Sequence, residues 1–211
     1  MTLNLQDIIN VYNEVLINNY DNILEQFEIK LNEKQIYKPD PKPDPKPESL
    51  SYNIDPNIPA DIKEKLNIFI EAHKDINPSF HSDTSSIPYN TALEELTKKC
   101  KKETHWIWYI FPQPRRKNLR ERSIYYSLEK NEVVHYLNVP LLYNHYLKIV
   151  QALTNCLSKG KKLNKIVEDD DVKVISSLNL FKAGIEYCHD HKYKIINDAC
   201  DIALELIKKN K

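Results

Sequence analysis

Two stretches of the chain carry side chains able to do chemistry. His105-Trp106-Ile107-Trp108-Tyr109-Ile110-Phe111-Pro112-Gln113 contains both tryptophans of the sequence, with an imidazole at one end and an amide at the other. Apolar walls with a few convergent polar groups are what a small-ligand pocket needs. Indole and phenol faces stack on planar bases and cations. His105 is the candidate acid or base, because an imidazole can exchange protons near neutrality. Trp106 and Trp108 are the candidate stacking walls, and Gln113 the group that reads an amide or hydroxyl. The competing reading is a packed aromatic core in which His105 is a hydrogen-bonded packing residue.

The second stretch is Asp170, Asp171, Lys173, Ser176 and Ser177. Helical spacing puts Lys173, Ser176 and Ser177 on neighbouring faces, so a serine hydroxyl can sit beside an ammonium. Lys173 then holds an anion or activates a serine, and Ser176 and Ser177 are ligand-binding candidates. In the structural alternative Asp170 caps the helix and a serine makes a packing contact or a backbone hydrogen bond. If the two stretches meet across a cleft floored by Trp106 and Trp108, with His105 and Lys173 as catalytic candidates, the site suits a planar anion resembling a nucleotide or ADP-ribose.

Other constellations are weaker. Cys188-His189-Asp190-His191 has metal-capable side chains, but adjacent positions on a helix cannot all reach one ion and no partner pair with finger spacing exists, so no metal is expected. Arg115, Arg116, Lys117, Arg120 and Arg122 form a basic loop, Arg115 to Arg122, that suits a phosphate or RNA contact, or a solvated surface. The chain has two glycines, Gly160 and Gly184, so a glycine-rich phosphate cradle cannot be written; this excludes ordinary Rossmann and P-loop enzymes, and no cofactor is implied. Cys100, Cys156, Cys188 and Cys200 form no C-x-x-C, and Met1 to Leu5 has no signal-peptide character. Reduced thiols and a cytoplasmic location are the expectation.

The elements that must position these residues are helical. The 211 residues carry 30 Lys+Arg against 30 Asp+Glu, which argues against a globally basic nucleic-acid coat. No apolar run reaches the roughly 18 residues of a membrane span. Residues 1–34 read as an amphipathic helix on Leu5, Ile8, Tyr12, Val15 and Leu16, folded back on its domain or used for self-association. Residues 35–56 form a linker in which proline at every second position from Pro39 to Pro47 forbids helix and paired strand. Residues 57–211 read as one compact, mostly α domain. Helices are predicted from Ala60, from a cap at Asn90, from a cap at Ser127, from Pro140 to Gly160, after Asp171 along Val172, Ile175, Leu178 and Phe181, and along Ile195, Ile196, Ala199 and Ala203. The strand signal is confined to Trp106–Phe111, where period alone does not separate strand from helix.

Thr104-His105-Trp106-Ile107-Trp108-Tyr109-Ile110-Phe111-Pro112-Gln113 resembles the signature of the DUF1810 family, K-x-[ST]-H-W-x-W-x-x-F-P-Q. Further blocks agree in order: Phe69 to His73, Tyr89 with Ala92 to Leu96, Ser127 to Leu142, and Asp170 to Phe181. The resemblance spans about residues 66–183 and implies a shared α-rich fold without an agreed chemistry. Two departures stand out. The family's glycine-bearing loop after F-P-Q is Pro114 to Arg120 here, and its I-F-G before the aspartates is Ile166-Val167-Glu168. If those glycines let a ligand approach the backbone, that capacity is altered in this chain.

The expected function is therefore an α-helical domain that binds or processes a nucleotide-like molecule. The alternative is a non-catalytic module that recruits protein or nucleic acid through the N-terminal helix and the basic loop.

Overall fold

The structure, a computed structural model, describes residues 54–74, 87–117, 121–189 and 191–211. All of them belong to the second of the two units into which the chain divides, Met1–Leu50 and Ser51–Lys211. The amphipathic helix expected over 1–34, nearly all of the linker and residues 118–120 of the basic loop lie outside the described residues.

The described unit is mostly α. Helix α1 (Ala60–His73) starts after Pro59, whose fixed φ suits a helix entrance, and buries Leu66, Phe69, Ile70, Ala72 and His73. Helix α2 (Tyr89–Glu94) starts after Pro88, one residue before the expected cap at Asn90, and widens into a π-helical turn over Glu95–Lys99. Trp106–Phe111, ambiguous by period, resolves as one helical turn, α3 (Ile107–Ile110). The strands lie elsewhere. β1 (Gln113–Pro114) pairs in parallel with β2 (Ser127–Leu128), Gln113 opposite Ser127, after α4 (Glu121–Tyr125). Ser127 thus belongs to a strand and caps no helix that follows it, its hydroxyl donating back to the Ile124 carbonyl; Glu129 and Glu132 form the reciprocal capping box of the 3-10 turn Lys130–Glu132 that leads into α5 (Val133–Leu137).

Three long helices build the core. Pro140 occupies the first turn of α6 (Pro140–Ser158), where its missing N–H costs nothing, and Gly160 follows the end at φ +78. A short α7 (Leu163–Val167) and the 3-10 turn Glu168–Asp170 precede α8 (Asp171–Cys188). A further 3-10 turn (His191–Tyr193) precedes α9 (Lys194–Lys209), which packs against α6 and α8. In α8 the buried face runs through Val174, Leu178, Phe181 and Ile185, so the predicted Val172 is 66% exposed. In α9 the predicted Ile195 is likewise exposed, and burial starts at Ile196.

Tyrosine does in this core what leucine and phenylalanine do elsewhere. Tyr146 stacks on Phe181 with centroids 3.6 Å apart, and Tyr136 meets Phe69 and Phe181 edge-on at 5.3 Å. Gly184 lets α8 approach α5: a Cβ there would lie 2.4 Å from Val133 Cβ. Contrary to the expectation of four reduced thiols, Cys100 and Cys156 form a disulfide, since the end of the π-helical turn brings the Cys100 Cα within 5.4 Å of the Cys156 Cα on α6. Cys188 and Cys200 are free thiols, and burial pushes that of Cys200 up to about 12.

Candidate functional site

A buried carboxylate organises the loop that carries the indoles. Glu95, at the start of the π-helical turn, is 5% exposed. It accepts from the backbone N–H groups of Glu103 (2.7 Å) and Thr104 (3.2 Å), from the Thr104 hydroxyl (2.5 Å) and from the indole Nε1–H of Trp106 (2.8 Å). Burial alone would raise the Glu95 carboxyl; together the four donors outweigh it and hold the group below its ordinary value. Residues 103–106 are thereby wrapped around one anion. The indole of Trp106 has no exposed surface.

Beside this loop three charges meet. The Asp170 carboxylate takes Lys102 Nζ at 3.0 Å and is also ion-paired with Lys173. Burial would raise the Asp170 carboxyl, and the two ammonium groups bring it below its ordinary value. Each lysine also lies over an indole: Lys102 Nζ is 5.9 Å from the Trp106 ring centre and Lys173 Nζ 5.4 Å from that of Trp108. The backbone fixes the arrangement. Lys102 N–H donates to the Ile166 carbonyl at 2.6 Å, which ties the indole loop to the end of α7.

The indole strip and the start of α8, sixty residues apart, do meet, through Trp108 with Lys173 and through Gln113. The Gln113 side-chain NH2 donates to the carbonyls of Phe111 (2.6 Å) and Lys173 (3.1 Å), so it is buried and engaged with backbone. Trp108 and Lys173 are half-buried, and His105 is exposed. The two serines diverge: Ser176 is half-buried, while Ser177 is fully buried with its hydroxyl 3.3 Å from that of Tyr146. Asp170 makes no capping hydrogen bond at the helix it precedes, because its side chain serves the two lysines. Among the described residues no group of three or more His, Cys, Asp or Glu could hold a metal ion.

In the sequence Glu95 and Lys102 are marked only as parts of the blocks that resemble the family, Glu95 within Ala92 to Leu96 and Lys102 at the leading lysine of K-x-[ST]-H-W. The signal for Glu95 was its place one residue before Leu96 on the buried face of a helix, where an acid persists only if donors surround it. Lys102 gave no such signal, for its burial depends on Asp170, remote in sequence. Glu168 carries the clearest mark of the family comparison. It stands where the resemblance has glycine, and its backbone lies at φ +53, ψ −127, a conformation that favours glycine.

A family model described as "Protein of unknown function (DUF1810)" matches residues 63–200. The chain belongs to the DUF1810 family. The match takes in every part of the site, from Glu95 to Lys173. The DUF1810 fold is also similar to that of the conserved hypothetical protein Rv1873 from Mycobacterium tuberculosis, whose crystal structure superposes with a TM-score of 0.54 at 21% identity, covering 70% of this chain and 89% of that one. No curated protein matches the chain. Among the described residues of this DUF1810 domain, no helix is long and apolar enough to cross a membrane.

Proposed function

We propose that this DUF1810 domain binds a small planar anion of the nucleotide or ADP-ribose class at Trp108 and Lys173. The observation that supports the reading is the half-buried indole with an ammonium 5.4 Å from its ring centre, held by a carboxylate that two lysines share. An aromatic ring offers a base its stacking partner, and a neighbouring cation offers a phosphate its charge. Lys102 and Lys173 around Asp170 leave one positive charge in excess within that triad. Trp106, Gln113 and Ser177 serve the ligand indirectly, by fixing the loop, the strand and the helix from which the site is built. His105 is the acid or base for any turnover of the bound molecule.

The test is titration of the full chain with AMP, ADP-ribose and NAD, followed by tryptophan emission. Trp106 is buried and Trp108 is half-buried, so the response belongs chiefly to Trp108. Saturable quenching by one of the three, weakened at least about tenfold in Lys173→Ala, is expected, a loss of roughly 1.4 kcal/mol. Linear, unsaturable quenching with all three overturns the reading.

A further inference from the structure

A second cluster lies outside the Trp108–Lys173 site. His73 comes from the last turn of α1 and His145 from α6, and their Nδ1 atoms are 2.9 Å apart. His73 Nε2 lies 2.9 Å from the carbonyl oxygen of Tyr109, near the end of α3. A carbonyl only accepts, so His73 carries its proton on Nε2. His73 is buried, and that burial pulls its imidazolium down to about 4. At neutral pH it therefore holds one proton, and its Nδ1 is bare.

The chain of roles then fixes His145. Facing a bare nitrogen, His145 donates from Nδ1, and its own Nε2 keeps a lone pair. Among the described residues nothing hydrogen-bonds to that nitrogen. The ring is held flat by Tyr89, stacked at 3.6 Å and 1°, whose hydroxyl donates to the His145 carbonyl at 3.0 Å. His145 as a residue is half-buried, neither in bulk water nor sealed off. A base oriented by a second group, itself oriented by a backbone acceptor, is the arrangement by which enzymes fix an imidazole tautomer.

We propose that His145 Nε2 is a hydrogen-bond-accepting, nucleophilic site, oriented by His73 and Tyr109, that takes a ligand through an uncharged O–H or N–H donor. A cationic donor is disfavoured by burial and by the charge of Lys148, which together with His73 acts on the His145 ring. Among the described residues the other rings that face the pair, Tyr89 and Tyr109, are phenols.

The experiment uses the full chain with histidine labelled by 15N, and diethyl pyrocarbonate as the probe. In the probe reaction the Nε2 lone pair forms an N–C bond, ethyl carbonate leaves with the C–O electron pair, and the Nδ1 proton is released. Long-range 1H–15N spectra are expected to show His73 protonated on Nε2 and His145 on Nδ1. Peptide mapping is expected to show His145 carbethoxylated at nearly the same rate at pH 5 and pH 7.5. A histidine peptide in the same tube slows about 30-fold over that range, as an ordinary imidazole becomes charged. In His73→Phe, which takes away the acceptor, His145 is expected to populate both tautomers. An Nε2–H tautomer for His145, or a bare Nε2 that resists the reagent at both pH values, overturns the proposal. Both readouts on the unsubstituted chain stand even if His73→Phe fails to fold, and neither depends on Trp108 or Lys173.

Discussion

Trp106 donates its indole N–H to a buried Glu95 oxygen at 2.8 Å, one of the bonds that tie the indole loop to the helix that supports it. The same carboxylate collects the N–H groups of Glu103 and Thr104, so the loop has one electrostatic centre. Replacing Glu95 with alanine leaves the indole and two amides without acceptors. A destabilisation of about 3 kcal/mol is expected, read as a lower urea midpoint at unchanged m-value. Glu95→Gln restores one acceptor and is expected to recover part of it.

Glu168 stands at φ +53 with an exposed side chain whose one ion pair, to Lys101, is 3.8 Å long. The strained backbone therefore outweighs anything the side chain contributes. Glu168→Gly is expected to stabilise the domain by about 1 kcal/mol, despite the entropy a glycine adds to the unfolded chain. Thermal unfolding checks it; a lower midpoint contradicts it.

Gly184 faces Val133 at a distance no side chain tolerates. Gly184→Ala is expected to cost about 1–3 kcal/mol by forcing α8 away from α5. Adding Val133→Gly removes the Cβ and both methyls that the new Cβ would meet. Recovery of stability in the double variant, measured as a mutant cycle, locates the clash between these two residues.

The histidine pair makes stability depend on pH. Burial holds His73 down to about 4, and burial with the charges of His73 and Lys148 holds His145 down to about 3, both from 6.5. The unfolded chain therefore binds more protons than the folded one between those values. The contribution is fully present above about pH 6.5 and is lost as pH falls toward 4 and then 3. For His73 alone the full loss is roughly 3 kcal/mol. Urea midpoints at pH 7, 5.5 and 4.5 are expected to fall steeply, and less steeply in His145→Gln. Identical slopes for the two proteins contradict the account.

The periods of three and four that place Leu142, Tyr146, Ile149 and Leu153 on one face report local geometry, and the helix α6 follows them. Val172 and Ile195 illustrate where period is insufficient: both continue an apolar pattern, yet the neighbours that decide burial come from remote segments. The pairing of Gln113 with Ser127 joins two strands of two residues, too short for any alternation to register. At the site, Trp108 and Lys173 were legible as residue types. That Trp106 spends its N–H on Glu95, that Ser177 turns toward Tyr146, and that Asp170 takes Lys102 depend on contacts eleven to sixty-eight positions apart. The relay through His73 and His145 joins residues 72 apart and had no sequence signature beyond the two imidazoles themselves.

Ligand-induced thermal stabilisation tests the binding role of Trp108 and Lys173 most directly. The full chain is heated with AMP, ADP-ribose or NAD at millimolar concentration, beside Trp108→Ala and Lys173→Ala. A ligand present at 100 times its dissociation constant adds about 2.7 kcal/mol, a rise of several degrees for a protein of this size. The predicted result is such a rise with at least one of the three, graded with concentration and lost in both variants. An unchanged melting temperature with all three, or a rise that survives both substitutions, would contradict it.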